Sequence, residues 1–258
     1  MSEDLIYNVT GGIGRIVFNR PQARNAFTLE MYQGIAEICG NVPTDGSVKA
    51  IIMTGAGEKA FASGTDMTEF RGFSTAEDAW AYEEEMERIV SSIECCPVPT
   101  IAAINGACTG GGAAIAACCD LRVASSNLKY GFPIARTLGN CLSAANLRRL
   151  TAVLGVGRLR EILFTARLIE ADEALIIGLV CELTETVDEL RNLADALAEK
   201  LASHAPLTLR ATKEAMRRNL AAQPVDDRDL VAMCYMSEDF KEGMEAFLSK
   251  RKPDFKGR

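Results

Sequence analysis

The stretch that decides the fold is "AAINGACTGGGAAIAACCDLRVAS", residues 102–125. Its start belongs to "TIAAIN", residues 100–105, a short apolar run bounded by turn-forming residues, which predicts a buried strand. The small residues that follow Gly110–Gly112 predict a helix, and the first N–H groups of a helix have no partner within it. The stretch therefore predicts a buried strand, a glycine-rich turn and a helix in succession.

The three glycines allow three interpretations from this stretch alone. The unpaired N–H groups of a helix N-terminus, with the positive end of the helix dipole, can bind an anion or a developing oxyanion. Glycine also lets a ligand approach the backbone closely because it has no Cβ. In the second interpretation, the glycines and alanines only permit tight helix packing. The third is a phosphate-binding P-loop, but no Lys-Ser or Lys-Thr follows the glycines.

Outward from this stretch, strand-like runs rich in β-branched residues alternate with segments of helical periodicity. The runs are "LIYNV" (5–9), "IGRIVFN" (13–19), "VKAIIMTG" (48–55), "VPTIAAING" (98–106) and "DLRVAS" (120–125). Gly11 and Gly12 separate the first two runs, which indicates a hairpin, and no GxGxxG dinucleotide fingerprint is present. From about residue 143 the pattern is almost wholly helical. We therefore predict an α/β fold in which a helical region follows the core.

Helix starts and helix faces can be assigned at several points. Thr28 and Ser237 each precede a helical pattern and are good N-cap residues. A further helix carries a buried stripe at i, i+3, i+4 and i+7, formed by Met86, Ile89, Val90 and Ile93. Four acidic residues lie mostly off that stripe and are expected to face solvent: Glu83, Glu84, Glu85 and Glu87.

Composition restricts the class of protein. The 258 residues are 48% hydrophobic, which is enough to fill a sizeable core. With 28 basic and 35 acidic residues the net charge is −7, which disfavours nucleic acid as a partner. No apolar run reaches the roughly 18 residues that span a bilayer, and no apolar or basic leader is visible, so we expect a soluble, cytoplasmic protein that does not insert into membranes.

The cysteines and the one histidine argue against disulfides and metal. Nine cysteines occur without a CxxC pair, mostly in apolar runs, which is typical of a reduced compartment. His204 is the only histidine, so a multi-histidine zinc site is excluded, and we predict no metal site. Its position between two helical patterns makes it a helix-end residue rather than a catalyst.

A second segment supports the oxyanion interpretation of the glycines. "IIMTGAGEKAFASGTDMTEF", residues 51–70, runs from a strand into a turn at Ser63 and Gly64, with a helix expected near Asp66. Thr65 would then present its backbone N–H at another strand-to-helix turn. Two such donors that converge on one point form an oxyanion hole, in which removal of one donor typically costs ~3 to 4 kcal/mol in the transition state.

Six segments in a fixed order resemble a known family over nearly the full length of the chain. They are "NRPQARNAFTLEM" (19–31), "TGAGEKAFASGTDMTEF" (54–70), "AAINGACTGGG" (102–112), "CDLRVAS" (119–125), "FTARLIEADEALIIGLV" (164–180) and "SEDFKEGMEAFLSKRKPDF" (237–255). The chain resembles the crotonase superfamily, also called the enoyl-CoA hydratase/isomerase family. This resemblance implies a ββα spiral core with a C-terminal helical region, assembly into trimers that often pair as hexamers, and an acyl-CoA thioester as ligand.

The resemblance also assigns roles to individual residues. The two oxyanion donors of the family fall on the backbone N–H groups of Thr65 and Gly111, in agreement with the two turns described above. No metal or redox cofactor is then required beyond the CoA moiety of the substrate. Four residues match positions that would contact CoA: Arg24, Ala62, Asp66 and Lys250. For Asp66 the alternative is a helix N-terminal residue, and for the two basic residues it is an ordinary surface charge.

The catalytic carboxylates that the family pattern leads one to expect are absent. Hydration of an enoyl thioester needs a base that activates water and an acid that protonates the α-carbon, and typical hydratases use two glutamates. By resemblance these positions are Ala114 and Ile134. Other members use an aspartate about eight residues after the second position, where this chain has Leu142 and Ser143. The cavity is therefore expected to bind without catalysing or to use other groups.

The segment "PIARTLGNCLSAAN", residues 133–146, offers substitutes beside the expected acyl group. Arg136 can hold a substrate carboxylate in a bidentate pair, or serve a salt bridge between subunits. Cys141 is either a thiol of lowered pKa or a buried inert one. Further polar candidates are Tyr130, Asn140, Ser143 and Asn146.

The sequence leaves three functions and one division of the chain as predictions. The first function is an acyl-CoA enzyme of enoyl-CoA hydratase type that stabilises a thioester enolate. The second is a decarboxylase or thioesterase on the same scaffold, and the third is a non-catalytic acyl-CoA binding protein. We place the core with the acyl-CoA site in residues 1–195. Residues 196–258 are expected to form a helical region for oligomerisation and pocket closure.

Overall fold

The computed structural model describes residues 3–221 and 228–255. The strands are β1 (Leu5–Thr10), β2 (Ile13–Phe18), β3 (Ala50–Gly55), β4 (Ala60–Ala62), β5 (Thr100–Ile104), β6 (Ala107–Thr109), β7 (Leu121–Ser125), β8 (Lys129–Gly131), β9 (Ile169–Glu170) and β10 (Leu183–Thr184). The helices are α1 (Leu29–Gly40), α2 (Ala76–Glu94), α3 (Gly111–Cys118), α4 (Ile134–Thr137), α5 (Ala144–Leu154), α6 (Val156–Thr165), α7 (Ala171–Ile176), α8 (Val187–Ala202), α9 (Pro206–Ala221), α10 (Arg228–Tyr235) and α11 (Glu238–Leu248). Short 3-10 helices, Pro21–Ala23 and Met67–Phe70, precede α1 and α2.

Two sheets carry the core of the chain. The larger has the strand order β1-β2-β3-β5-β7-β10, and only the β1–β2 pair is antiparallel. Gly11 and Gly12 join that pair with φ of +61° and +78°, as a tight hairpin requires. The smaller sheet has the order β4-β6-β8-β9, with β9 antiparallel to β8. Strands β3, β5 and β7 are each followed by a strand of the smaller sheet and then a helix, which is the predicted ββα repeat.

The two faces of the larger sheet pack against different layers. Because side chains alternate along a strand, Ile52 and Ala103 face α8 and pack there with Ala194. Met53 and Ala102 face the opposite side and join the main hydrophobic core with α1, α2 and α3. A sheet covered on both faces explains why its strands are nearly continuous apolar runs rather than alternating ones.

The predicted helix starts are confirmed by side-chain capping. Thr28 accepts a hydrogen bond from the Met31 N–H at the start of α1, and Ser237 accepts one from the Phe240 N–H at the start of α11. Ser143, one of the polar candidates beside the acyl site, accepts from the Asn146 N–H and caps α5. These contacts satisfy N–H groups that the helices cannot pair internally.

Three details differ from the sequence prediction. The region after residue 143 contains β9 and β10, because two-residue segments between its helices add to the edges of the sheets. Residues 228–235 form α10, a helix within the predicted helical region that was not assigned individually. The predicted boundary between residues 195 and 196 falls inside α8, whose continuous apolar face packs on the larger sheet, so a division of the chain is better placed after Ala202.

A buried ion cluster joins α2 to α5. Arg149 is 5% exposed, and its guanidinium donates to Glu87 Oε2 at 2.6 Å, to Glu94 Oε2 at 2.8 Å and to Ser91 Oγ at 3.0 Å. Burial opposes ionisation of Glu87, but the hydrogen bond and charge of Arg149 hold the pKa of Glu87 below its usual value. Glu87 was expected to face solvent; its side chain keeps 35% exposure but is engaged in this ion pair.

Candidate active site

A cavity of about 790 Å³ lies where the glycine-rich turn meets α2, α4 and the C-terminal helices. Gly110 and Gly111 line it together with Thr65, which follows β4. Tyr235 lines it from α10, and Lys250 lines it just after α11. The two turns singled out in the sequence therefore open into one cavity, and the C-terminal region supplies part of its wall.

The backbone at Gly110–Gly112 can adopt its path only without side chains. Gly110 has φ of +53°, a conformation that favours glycine, and its N–H donates to Gly131 O at 3.0 Å. A Cβ on Gly111 would lie 1.9 Å from Tyr32 Oη. A Cβ on Gly112 would lie 2.5 Å from Ala62 O, so this third glycine serves close packing. Tight packing thus requires glycine at positions 111 and 112, and the backbone conformation favours it at position 110.

Thr65 is held by hydrogen bonds on both of its sides. Its neighbours Gly64 and Asp66 exchange backbone hydrogen bonds with Phe27, at 2.8 Å in each case. Thr65 Oγ1 lies 2.9 Å from Tyr32 Oη and 3.1 Å from Tyr82 Oη. Burial raises the pKa of both tyrosines, so their hydroxyls stay protonated. These bonds fix the peptide that carries the Thr65 N–H.

Two backbone donors remain without an internal acceptor at this point. Within residues 3–221 and 228–255, neither the Thr65 N–H nor the Gly111 N–H donates a hydrogen bond to the protein. Both residues line the cavity, and Gly111 begins α3, where the helix dipole is positive. An electronegative atom in the cavity would therefore find two donors there.

The positions at which glutamates were expected lie on the same cavity. Ala114, on α3, and Ile134, at the start of α4, both line it, and neither can transfer a proton. Leu142 lines it as well. The cavity wall is therefore apolar at all three of these positions.

One carboxylate for which a solvent-facing position was favoured over an active-site position does reach the cavity. Glu83 lines it from α2 beside Met86 and Val90, residues that lie three and seven positions further along the helix. Its Oε1 accepts a hydrogen bond of 2.7 Å from the Tyr235 hydroxyl. The expectation that Glu83 faces solvent was wrong, since the i, i+3, i+7 spacing places it on the edge of the buried stripe.

The family of the chain follows from comparison with known proteins. The family model described as enoyl-CoA hydratase/isomerase matches residues 8–258. A short-chain-enoyl-CoA hydratase of Clostridium acetobutylicum is 35% identical over 261 residues, which cover 99% of this chain and 98% of that protein. The chain belongs to the enoyl-CoA hydratase/isomerase family. The membership predicted from the six sequence segments, in the crotonase superfamily, is thereby confirmed.

Solved structures of this hydratase/isomerase family share the fold. An enoyl-CoA hydratase/carnithine racemase from Magnetospirillum magneticum superposes with a TM-score of 0.80 at 34% identity, covering 100% of this chain and 97% of that chain. A methylmalonyl-CoA decarboxylase in complex with 2-nitronate-propionyl-CoA superposes with a TM-score of 0.87 at 27% identity, covering 100% of both chains. The predicted α/β class and ββα architecture are confirmed.

The residues predicted to contact CoA in this family member occupy three kinds of position. Arg24 and Lys250 are exposed and line the open end of the cavity. Asp66 lines the cavity but caps the following 3-10 helix and accepts a hydrogen bond of 3.0 Å from Arg20 Nη1. Ala62 is fully buried behind Gly112 and does not line the cavity. Of the four, the two basic residues are therefore placed to meet a ligand charge.

Two predicted candidates are not placed to act on a ligand. Arg136 is exposed on α4 and lies outside the cavity lining, because the one-turn helix directs its neighbours Ile134 and Thr137 inward instead. The prediction that Arg136 holds a substrate carboxylate is therefore not supported by its position. Tyr130 is fully buried and donates to Ala113 O at 3.0 Å, so it belongs to the core.

Cys141 lines the cavity and is half-buried, rather than fully buried as the inert-thiol alternative required. It makes a hydrogen bond with Cys234, on α10, and this bond lowers the pKa of Cys234 to about 7.

Among the described residues, no group of three or more His, Cys, Asp or Glu side chains is arranged to hold a metal ion. No described helix has both the length and the apolar character needed to cross a bilayer.

The low pKa of Cys234 predicts selective alkylation. We expect iodoacetamide to label Cys234 with a pH midpoint near 7, because the thiolate is the nucleophile. In Cys141→Ala the hydrogen bond is lost, and the midpoint is expected to rise toward the ordinary value of about 8.5. Peptide mass spectrometry from about pH 5 to about pH 10 measures both midpoints, with the exposed Cys95 and Cys181 as references for the reagent. Equal midpoints in wild type and variant would contradict the interpretation.

Proposed function

We propose that this chain is an enzyme that binds an acyl-CoA thioester in the cavity and stabilises its enolate. The observation that carries the proposal is the pair of N–H groups, from Thr65 and Gly111, which open on one cavity and donate to no acceptor within the described residues. The thioester carbonyl oxygen would lie between them, and the pair would act as an oxyanion hole.

The physical basis is a difference in binding between ground state and transition state. A carbonyl oxygen carries little charge in the thioester and a full charge in the enolate, so fixed donors interact more strongly as the reaction proceeds. The donors need no reorganisation because the hydrogen bonds of Thr65 and the start of α3 hold them in place. In enzymes with such sites, removal of one donor costs about 3 to 4 kcal/mol of transition-state stabilisation.

The open end of the cavity supports CoA as the carrier group. Arg24 and Lys250 are exposed residues of the cavity lining, and both have a positive φ, of 51° and 52°. Two cations at the mouth of a mostly apolar cavity suit a ligand with an acyl group at one end and phosphates at the other. The relatives support the same class, since one is named short-chain-enoyl-CoA hydratase. We propose no cofactor beyond this CoA moiety.

The test is turnover of a panel of CoA thioesters by the purified protein. Loss of the enoyl absorbance of crotonyl-CoA reports hydration, release of CO₂ from methylmalonyl-CoA reports decarboxylation, and free thiol reports hydrolysis. We expect binding of the esters by isothermal titration calorimetry and turnover in one of the three assays. Ala114→Glu and Ile134→Glu, which restore the expected carboxylates, serve as gain-of-function controls. A chain that binds no ester would refute the proposal, and binding without turnover would favour a non-catalytic acyl-CoA protein.

A second candidate reaction is decarboxylation. The supporting observation is the similarity to methylmalonyl-CoA decarboxylase over the whole of both chains. Loss of CO₂ from a malonyl-type thioester yields the same enolate without a base, so it requires no carboxylate at positions 114 and 134. Arg136 lies outside the cavity lining, which removes the cation that this reaction was expected to use.

Assembly and location are part of the proposal. We propose a homotrimer or hexamer, supported by exposed apolar side chains on α6 and α7, where Phe164 is 81% and Ile176 is 83% exposed. The C-terminal helical region would take part in this assembly and in closing the cavity, to which it contributes Tyr235 and Phe247. A cytoplasmic location is proposed from the cysteine pattern, and no disulfide joins the described cysteines.

A further inference from the structure

A chain of polar groups crosses the end of the cavity formed by α2 and α10. Tyr235 Oη donates to Glu83 Oε1 at 2.7 Å and accepts from Asn140 Nδ2 at 3.3 Å. The direction of each bond is fixed, since a carboxylate can only accept and the tyrosine has one proton to donate. All three residues line the cavity. An acceptor carboxylate is therefore held in place in the cavity whose two expected glutamates are missing.

Asn140 brings a second acceptor to this array. Its Oδ1 is buried, and no donor among the described residues lies within hydrogen-bond range of it. Exchanging the two amide atoms does not resolve this, because the Tyr235 proton already goes to Glu83. A buried acceptor without a donor costs about 1 to 3 kcal/mol, which a ligand or a water molecule with a proton to donate would recover.

Glu83 lines the same cavity as Thr65 and Gly111. It follows Tyr82, whose hydroxyl lies 3.1 Å from Thr65 Oγ1. After burial, the negative charge of Glu83 is a further cause of the raised pKa of both Tyr82 and Tyr32, the two tyrosines that contact Thr65. The other lining carboxylate, Asp66, is committed to Arg20 and to the N-cap of a 3-10 helix.

We propose that Glu83 is the proton-transfer residue of this site and that Tyr235, which Asn140 contacts in turn, positions its carboxylate. The inference rests on the proposed function and names the group that replaces the missing glutamates. It favours an enoyl thioester as substrate over one with a free carboxylate, since Glu83 would repel a second negative charge in the acyl end of the cavity.

One carboxylate is sufficient for hydration in this arrangement. The water oxygen bonds to the β-carbon while Glu83 takes one water proton, and the electron pair of the Cα–Cβ double bond moves to give the enolate held by Thr65 and Gly111. The enolate then re-forms the thioester carbonyl as its α-carbon takes the proton back from the Glu83 carboxyl group. The sum is addition of one water molecule, and Glu83 returns to its starting state.

The test compares Glu83→Gln with its neighbour Glu84→Gln. Glu84 is exposed on the same helix and does not line the cavity, so it is a matched control for charge and helix position. With crotonyl-CoA we expect kcat of Glu83→Gln to fall by about 100-fold or more, with KM within about threefold of wild type. Glu84→Gln should keep both constants. In Glu83→Ala, added formate or acetate should restore part of kcat, which a merely structural role would not allow.

Tyr235→Phe provides a second readout. It keeps the ring and removes the hydroxyl that holds Glu83, so we expect kcat to fall by about tenfold with little change in KM. Calorimetric binding of a saturated CoA ester to each variant separates this inference from the proposed function. If wild type binds no ester, the proposed function fails. If binding and turnover persist unchanged in Glu83→Gln, only the present inference is overturned.

A wild-type chain that does not hydrate crotonyl-CoA still gives a decisive result. Glu83 should then exchange the α-proton of a bound acyl-CoA with D₂O, which mass spectrometry of the recovered ester detects. Exchange that disappears in Glu83→Gln and persists in Glu84→Gln would support the inference. A wild type that binds the ester and shows neither hydration nor exchange would overturn it.

Discussion

Gly111→Ala is expected to lower kcat/KM for the CoA thioester that is turned over by at least about 100-fold. The added Cβ would lie 1.9 Å from Tyr32 Oη and 3.4 Å from Thr65 Oγ1. Tyr32 must then move, so that its hydrogen bond to Thr65 is lost and the two N–H groups proposed to form the oxyanion hole are displaced. Steady-state kinetics with the active ester measures the effect, and thermal unfolding shows whether the variant is folded.

A double variant tests whether the Tyr32 hydroxyl is the cause. In Tyr32→Phe the closest remaining ring atom would be Cζ, 3.1 Å from the new Cβ, so we expect Tyr32→Phe/Gly111→Ala to recover about tenfold of the lost activity. Gly157→Ala, on α6, is the matched control because a Cβ there would meet nothing within 4 Å. Activity of Gly111→Ala within about threefold of wild type would show that this amide does not stabilise the transition state.

Arg149→Met is expected to lower the free energy of unfolding by about 3 to 5 kcal/mol. The methionine fills similar space but leaves Glu87 and Glu94 without the guanidinium that neutralises them inside the α2–α5 interface. Because Glu87 keeps 35% and Glu94 20% side-chain exposure, water offsets part of the desolvation cost, and we expect the lower end of this range. Urea unfolding followed by circular dichroism measures the change, at one protein concentration because assembly contributes to stability.

The control for this prediction is Arg88→Met on the same helix. Arg88 is largely exposed and pairs with Glu85 through an i, i+3 contact, so its loss should cost less than about 1 kcal/mol. A similar cost for both variants would mean that burial does not govern the contribution of Arg149. Arg149→Lys should recover only part of the loss, because one ammonium cannot reach Glu87, Glu94 and Ser91 together.

Much of the fold was predictable because it is encoded locally. Apolar runs at β3, β5 and β7, the hairpin at Gly11 and Gly12, and the caps at Thr28 and Ser237 each depend on residues a few positions apart. The strands β9 and β10 were not predictable in this way. Each has two residues and exists because a sheet edge built elsewhere in the chain accepts it.

In the candidate site, too, the locally encoded residues were predictable and the others were not. Thr65 and Gly111 could be assigned from the sequence because glycine at a strand-to-helix turn leaves a recognisable pattern. Glu83 was assigned to solvent because a run of acidic residues usually forms a solvated face. Its true position depends on how α2 packs against α10. This packing brings Tyr235 into contact with Glu83, although the two residues are 152 positions apart.

By itself, the sequence determined the family, the ββα order of the core, the two turns that present backbone donors and the loss of the carboxylates at positions 114 and 134. The two turns follow from local spacing, whereas the family, the ββα order and the positions of the lost carboxylates follow from the resemblance that six local segments carry. Only the tertiary structure decided that Arg136 lies outside the cavity lining and that Asn140, Tyr235 and Glu83 form one hydrogen-bonded array. That array needs three distant segments to pack together, and no pattern within a single segment records such a contact.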